Sequence, residues 1–106
     1  MKPEPIEEQR PQLEVVWSRK ALLRLREIHD YIAADKPEAA NRLSSRIVSV
    51  VATLKRYPYL GRAGSEAGLR ELVIGGTPYI ALYKVGRKRV SILTIWHGAQ
   101  QRTINR

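Results

Sequence analysis

Cysteine is absent from this chain, and acidic residues nearly vanish from its larger, C-terminal part. Without a thiol there is no disulfide framework, no sulfur nucleophile and no cysteine-ligated metal. No apolar run approaches the length of a membrane span. The opening stretch, Met1 to Arg10, is polar and lacks the hydrophobic centre of a secretory signal, so the cytoplasm is the expected compartment. His29 and His97 are the two histidines, and no carboxylate–histidine motif accompanies them. No metal site is therefore expected, and no motif implies a cofactor. Gly61-Arg-Ala-Gly64 comes after a helical pattern rather than a strand and lacks a Lys-Ser/Thr ending, which excludes a nucleotide loop.

What is present is positive charge, unevenly placed. Residues 1–41 hold seven Lys/Arg against eight Asp/Glu, whereas residues 42–106 hold twelve against only Glu66 and Glu71. The net charge of +9 therefore arises entirely beyond the first forty or so residues. Such a field favours a polyanion or an acidic protein partner, although solubility alone also explains it.

At 106 residues the chain holds one domain with one modest core. Residues 1–12 contain three prolines among charges and no period, and are expected to be a flexible leader. Leu13–Trp17 is β-prone, and Ser18 is placed to cap the helix after it. Leu22, Leu25, Ile28 and Ile32 recur at three- and four-residue steps, predicting a helix from about Arg19 to Ala34. Asp35-Lys36-Pro37 breaks it. A second helix is predicted from Pro37 to about Arg56, with Ala40, Leu43, Ile47, Val50/Val51 and Leu54 as its stripe. Tyr57–Gly68 reads as a loop. Strands are predicted at Leu69–Ile74, Tyr79–Val85 and Arg89–Trp96, punctuated by Gly75–Pro78 and Gly86–Lys88. The expected fold is α+β: an N-terminal strand, an antiparallel helix hairpin, then three antiparallel strands. Together the strands make a mostly antiparallel, twisted four-stranded sheet over residues 13–101, and residues 102–106 are a short polar tail.

The order and spacing of several pieces resemble the RelE/ParE family of small bacterial toxins. They are Trp17-Ser18, Ile28 with Tyr31-Ile32, Pro37 with Ala39-Ala40, and Leu54, Pro58 and Gly61-Arg62. Leu69-Arg-Glu-Leu72, Pro78-Tyr-Ile80 with Tyr83, and Ile92-Leu93, His97 and Gln100 complete them. The resemblance implies the toxic half of a type II toxin–antitoxin pair, neutralised by a wrapping antitoxin as a hetero-oligomer. Operator DNA would be met only through that complex. One branch cleaves messenger RNA on the ribosome; the other inhibits DNA gyrase. Where ribonuclease members carry an arginine just after the first tyrosine of the third strand, this chain has Ile80. Lys55, Arg56 and Arg62 are all that remain of the basic band expected nearby. Both departures favour the gyrase-inhibiting, ParE-like branch.

On the ribonuclease alternative, the resemblance implies catalytic roles for Arg70, Tyr79, Tyr83 and His97. An imidazole moves protons near neutrality, a guanidinium grips phosphate, and tyrosines stack on bases. Each has a plainer reading. The tyrosines, sharing one face of a strand, could pad the core with their hydroxyls at its rim. Arg70 could pair with Glu27 or Asp30, and His97 could make a structural hydrogen bond. His29 reads as a boundary residue. Target contacts on the ParE-like reading are expected at Arg70, Arg87, Lys88, Arg89, His97 and Gln100, with the 87–89 run equally explained as a solvated turn. The antitoxin is expected on Tyr31, Ile32, Leu43 and Ile47.

Overall fold

The computed structural model describes residues 12–99. The expected leader, but for Gln12, the polar tail and Gln100 lie outside the described residues. In chain order the elements are β1 (Glu14–Trp17), α1 (Arg19–Ala33), α2 (Pro37–Ala52), β2 (Arg62–Ala63), β3 (Arg70–Val73), β4 (Tyr79–Val85) and β5 (Arg89–His97). A short 3-10 turn, Thr53–Lys55, ends the second helix earlier than its apolar period predicts. The expected α+β architecture is present.

The sheet runs β1-β5-β4-β3-β2. It has five strands rather than four, because Arg62 and Ala63, inside the expected loop, pair antiparallel with Glu71 and Arg70. Two residues carry no readable alternation. The pairing is supported by an ion pair, Arg62 Nη2 to the buried Glu71 carboxylate at 3.0 Å. β1 runs parallel to β5, with Glu14 opposite Arg89 and Trp17 opposite Ile92, while the other neighbours are antiparallel.

Both helices lie against one face of this sheet. Ile28 from α1, Ile47 and Val51 from α2 and Leu54 from the turn meet Leu72, Ala81, Tyr83, Val90, Ile92 and Ile95. Ser18 joins the layers at the start of α1. Its Oγ accepts the Ala21 N–H at 3.0 Å and donates to the Leu93 carbonyl at 2.9 Å. Pro37 opens α2, where a missing N–H leaves no intrahelical bond unmade. Leu22 departs from its expected place in the stripe: it is 52% exposed, and Ala21 takes the buried position beside it. A register shift at Leu82/Tyr83 accommodates Leu93 as an extra residue of β5.

The helix hairpin carries a titratable clamp. His29 on α1 reaches Asn41 on α2 through Nε2 at 2.8 Å and Asp30 through Nδ1 at 3.2 Å. Two oxygen acceptors favour the doubly protonated ring, and the Asn41 bond, then the Asp30 bond, raise the pKa above 6.5. A raised folded pKa gives stability that is complete below 6.5 and is lost as pH rises through the folded value. His29→Gln should therefore narrow its stability gap to the parent protein between about pH 5 and pH 8, as read from denaturation midpoints.

Candidate functional site

The chemistry-bearing side chains divide between two ends of the sheet. At the end where β4 begins and β5 finishes, Tyr79 stands opposite His97. Their rings meet edge to face, with centroids 5.5 Å apart and planes at 82°. Arg24, Glu27, Ile28 and Tyr31 of α1 complete a groove of about 570 Å³ over this pair. Positions 24, 27 and 31 recur at three- and four-residue steps, so one helix face delivers all three. That spacing is readable in the sequence; what hides it is the absence of any sign that this face borders the sheet end.

His97 Nδ1 accepts the Ala99 N–H at 3.2 Å, which places the proton of the neutral ring on Nε2. The Gly98 N–H donates to the Pro78 carbonyl at 2.8 Å and ties the end of β5 to the start of β4. Arg24 donates through Nε to the Ile95 carbonyl at 3.3 Å and through Nη1 to Glu27 at 2.9 Å. The groove thus offers an imidazole, a phenol and a guanidinium already paired with a carboxylate. Such a set can hydrogen-bond a polar partner and exchange a proton, but much of its positive charge is already compensated.

Arg70 and Tyr83 lie elsewhere. They face each other across β3 and β4, four residues along β4 from the Tyr79–His97 pair. That is about 13 Å of strand. Tyr83 is fully buried, which corrects its place among residues that could stack on bases. Its hydroxyl donates to the Pro58 carbonyl at 2.8 Å and accepts the Gly61 N–H at 2.9 Å, the core-rim role of the plainer reading. Arg70 does not reach Glu27 or Asp30. It donates through Nε to the Gly61 carbonyl at 3.1 Å and through Nη2 to Tyr59 O at 3.3 Å, with its guanidinium 5.2 Å from the Tyr59 ring centroid. Asp30 instead engages Arg26 and His29. Ile80, at the position of the ribonuclease arginine, is buried.

Arg87, Lys88 and Arg89 are exposed at the β4–β5 turn, at the opposite end of β5 from His97. The expected target contacts therefore form no single patch, and Gln100 lies outside the described residues. The expected antitoxin set also divides. Tyr31 is 83% exposed, but Ile47 is fully buried and cannot meet a partner. Ile32 and Leu43 pack against the same core. Much of the helix stripes is thus turned into the core, Leu22 excepted. Among the described residues no group of three or more His, Asp or Glu side chains could hold a metal ion, and no helix is long and apolar enough to cross a membrane.

A parallel β1–β5 pair with a helix hairpin on one sheet face is the architecture that the resemblance to RelE/ParE toxins implies. The family described as the ParE toxin of the type II toxin–antitoxin system parDE matches residues 15–102, and this chain belongs to it. The Sinorhizobium fredii protein Y4kP is 46% identical over 85 residues, covering 80% of this chain and 88% of that one. Toxin RelE2 of Caulobacter vibrioides is 40% identical over 87 residues, covering 82% and 97%. A chain of the chromosomal ParDE system from P. aeruginosa superposes with a TM-score of 0.77 at 28% identity, covering 83% of this chain and 98% of its own. The YoeB dimer structure from Staphylococcus aureus shares the fold, with a TM-score of 0.53 at 14% identity over 78% of this chain and 93% of its own.

Tyr83→Phe removes one hydroxyl and leaves the Pro58 carbonyl and the Gly61 N–H without it. It should lower stability by about 1–3 kcal/mol in chemical denaturation. Activity per folded molecule should not change.

Proposed function

We propose that this toxin, neutralised by a cognate antitoxin, inhibits DNA gyrase by binding it. The observation that carries this reading is that Arg70, the cation the ribonuclease alternative calls on, is not brought to Tyr79 and His97, and that the guanidinium beside them, Arg24, is already paired with Glu27. Cleavage by a ribose 2′-hydroxyl requires a proton acceptor, a proton donor and a cation converging on one phosphate. Here His97 and Tyr79 stand at one end of β4, while Arg70 is held by loop carbonyls beside Tyr83. Ile80 supplies no charge between them. Membership on the ParE side of the family supports the same choice. Binding needs no such convergence, and the exposed Arg87–Arg89 turn together with the groove around His97 are the target contacts on this reading.

A ribosome-dependent endoribonuclease is the second reading, favoured by the Tyr79–His97 contact in a groove that also holds Arg24 and Glu27. One experiment separates the two. Purified free of antitoxin, the protein should abolish gyrase supercoiling and leave messenger RNA intact on translating ribosomes. Added antitoxin should restore supercoiling. Ribosome-dependent cleavage with unaffected gyrase, lost in His97→Ala, would establish the second reading. Expression without growth arrest would count against both.

A further inference from the structure

The outward face of α2 is polar where its inward face is apolar. Asn41, Arg42, Ser45, Arg46 and Ser49 recur at three- and four-residue steps and line an open hollow of about 380 Å³. Each of them is exposed. Glu38, one turn before Arg42, is the only acidic residue of the helix, and the chain meets no further carboxylate until Glu66. Over that same span it carries Arg42, Arg46, Lys55, Arg56 and Arg62.

The two arginines of this face differ from most others in the fold. Arg24 and Arg62 are paired with carboxylates, Arg26 stands 3.7 Å from Asp30, and Arg70 holds loop carbonyls. Neither Arg42 nor Arg46 pairs with a carboxylate among the described residues. Arg46 donates through Nε to the Gly75 carbonyl at 3.1 Å, which steadies its guanidinium and leaves the Nη groups for another acceptor. His29 Nε2 takes the Asn41 oxygen at 2.8 Å, so the Asn41 amide has only its N–H donors to offer. The hollow therefore presents positive charge with N–H and O–H donors, and no acid lines it.

We propose that this face of α2 binds duplex DNA through its phosphate backbone, without reading sequence. Side chains four residues apart on a helix start about 6 Å from each other, so Arg42 and Arg46 each fork onto a phosphate of one strand. Asn41, Ser45 and Ser49 donate to phosphate oxygens beside them. The composition of the face decides among acidic partners. Single-stranded RNA is gripped by stacking on aromatic rings, and none lines this hollow. Protein interfaces are built on buried apolar anchors and are poor in serine, the opposite of this set. A rod of arginines and hydroxyls suits the uniform backbone of a duplex. The contact belongs to the toxin alone and is distinct from operator recognition through an antitoxin complex. It holds whichever target the toxin inhibits.

The test titrates the full-length protein, free of antitoxin and gyrase, into two short fluorescent duplexes of unrelated sequence at several salt concentrations. Both duplexes should bind alike. Arg42→Gln/Arg46→Gln should weaken binding about tenfold and lower the slope of log affinity against log salt by about 2, since each phosphate contact contributes about 0.9. Ser45→Asp, which sets a carboxylate among the donors, should also weaken it. Arg19→Gln/Lys20→Gln removes the same charge from exposed positions at the start of α1 and should leave the slope unchanged. Circular dichroism of every variant should match the parent, because all these positions are exposed. Absence of binding at low salt overturns the proposal, as does a double variant on α2 that binds like the parent. Equal losses from the α1 and α2 variants would mean that net charge alone attracts the DNA, and would overturn it too. So would tighter binding of a single-stranded RNA oligonucleotide than of either duplex, or release of the duplexes by polyglutamate at matched charge. None of these failures touches the supercoiling assay, on which the reading of function stands separately.

Discussion

The Tyr83 hydroxyl is the point through which the loop after the helices is attached to the sheet. It accepts the Gly61 N–H and donates to the Pro58 carbonyl, from a ring that no solvent reaches. A side chain at position 61 would bring a Cβ within 2.5 Å of the Glu71 carbonyl and 2.7 Å of that hydroxyl, so glycine is required there for space alone. Arg70 binds the same loop through the Gly61 and Tyr59 carbonyls. Once these bonds are made, Arg62 is delivered to Glu71, β2 forms, and Tyr57, Tyr59 and Leu60 are turned outward. A buried phenol thus determines what the surface displays.

In that arrangement two residues that look functional in the sequence make hydrogen bonds within the fold. Arginine and tyrosine are versatile at surfaces, and nothing in a single chain distinguishes a guanidinium that awaits phosphate from one that holds carbonyls. The distinction is made by sequence-distant partners, here Gly61 and Tyr59 for Arg70 and Pro58 for Tyr83. His97 lines an open groove, and the Ala99 N–H bonds its Nδ1.

The elements themselves are legible in the sequence to within a few residues. Helix periods in Ala21–Ile32 and Ala40–Leu54 are strong, Ser18 and Pro37 mark their starts, and Tyr79–Val85 is bounded by its flanking turns. β2 is not legible, since two residues have no alternation and their pairing depends on the buried Glu71. The helical period places Ile47 on the apolar stripe and Val48 off it, but it does not tell that the sheet, rather than a partner, covers Ile47. The site is legible in its parts, His97 and Tyr79 above all, but Arg24 and Glu27 join them only through the packing of α1 on β5.

The parallel pairing of β1 with β5 also has a bearing on synthesis. Among the described residues β5 is the last strand in the chain, yet it sits inside the sheet, between the first strand and the fourth. Until it emerges, β1 has no strand to join and Ser18 lacks the Leu93 carbonyl 75 residues ahead. The core cannot close on a partial chain, because contacts so distant in sequence are paid for in loop entropy before they return anything. A chain built this way completes its core only once β5 has been made.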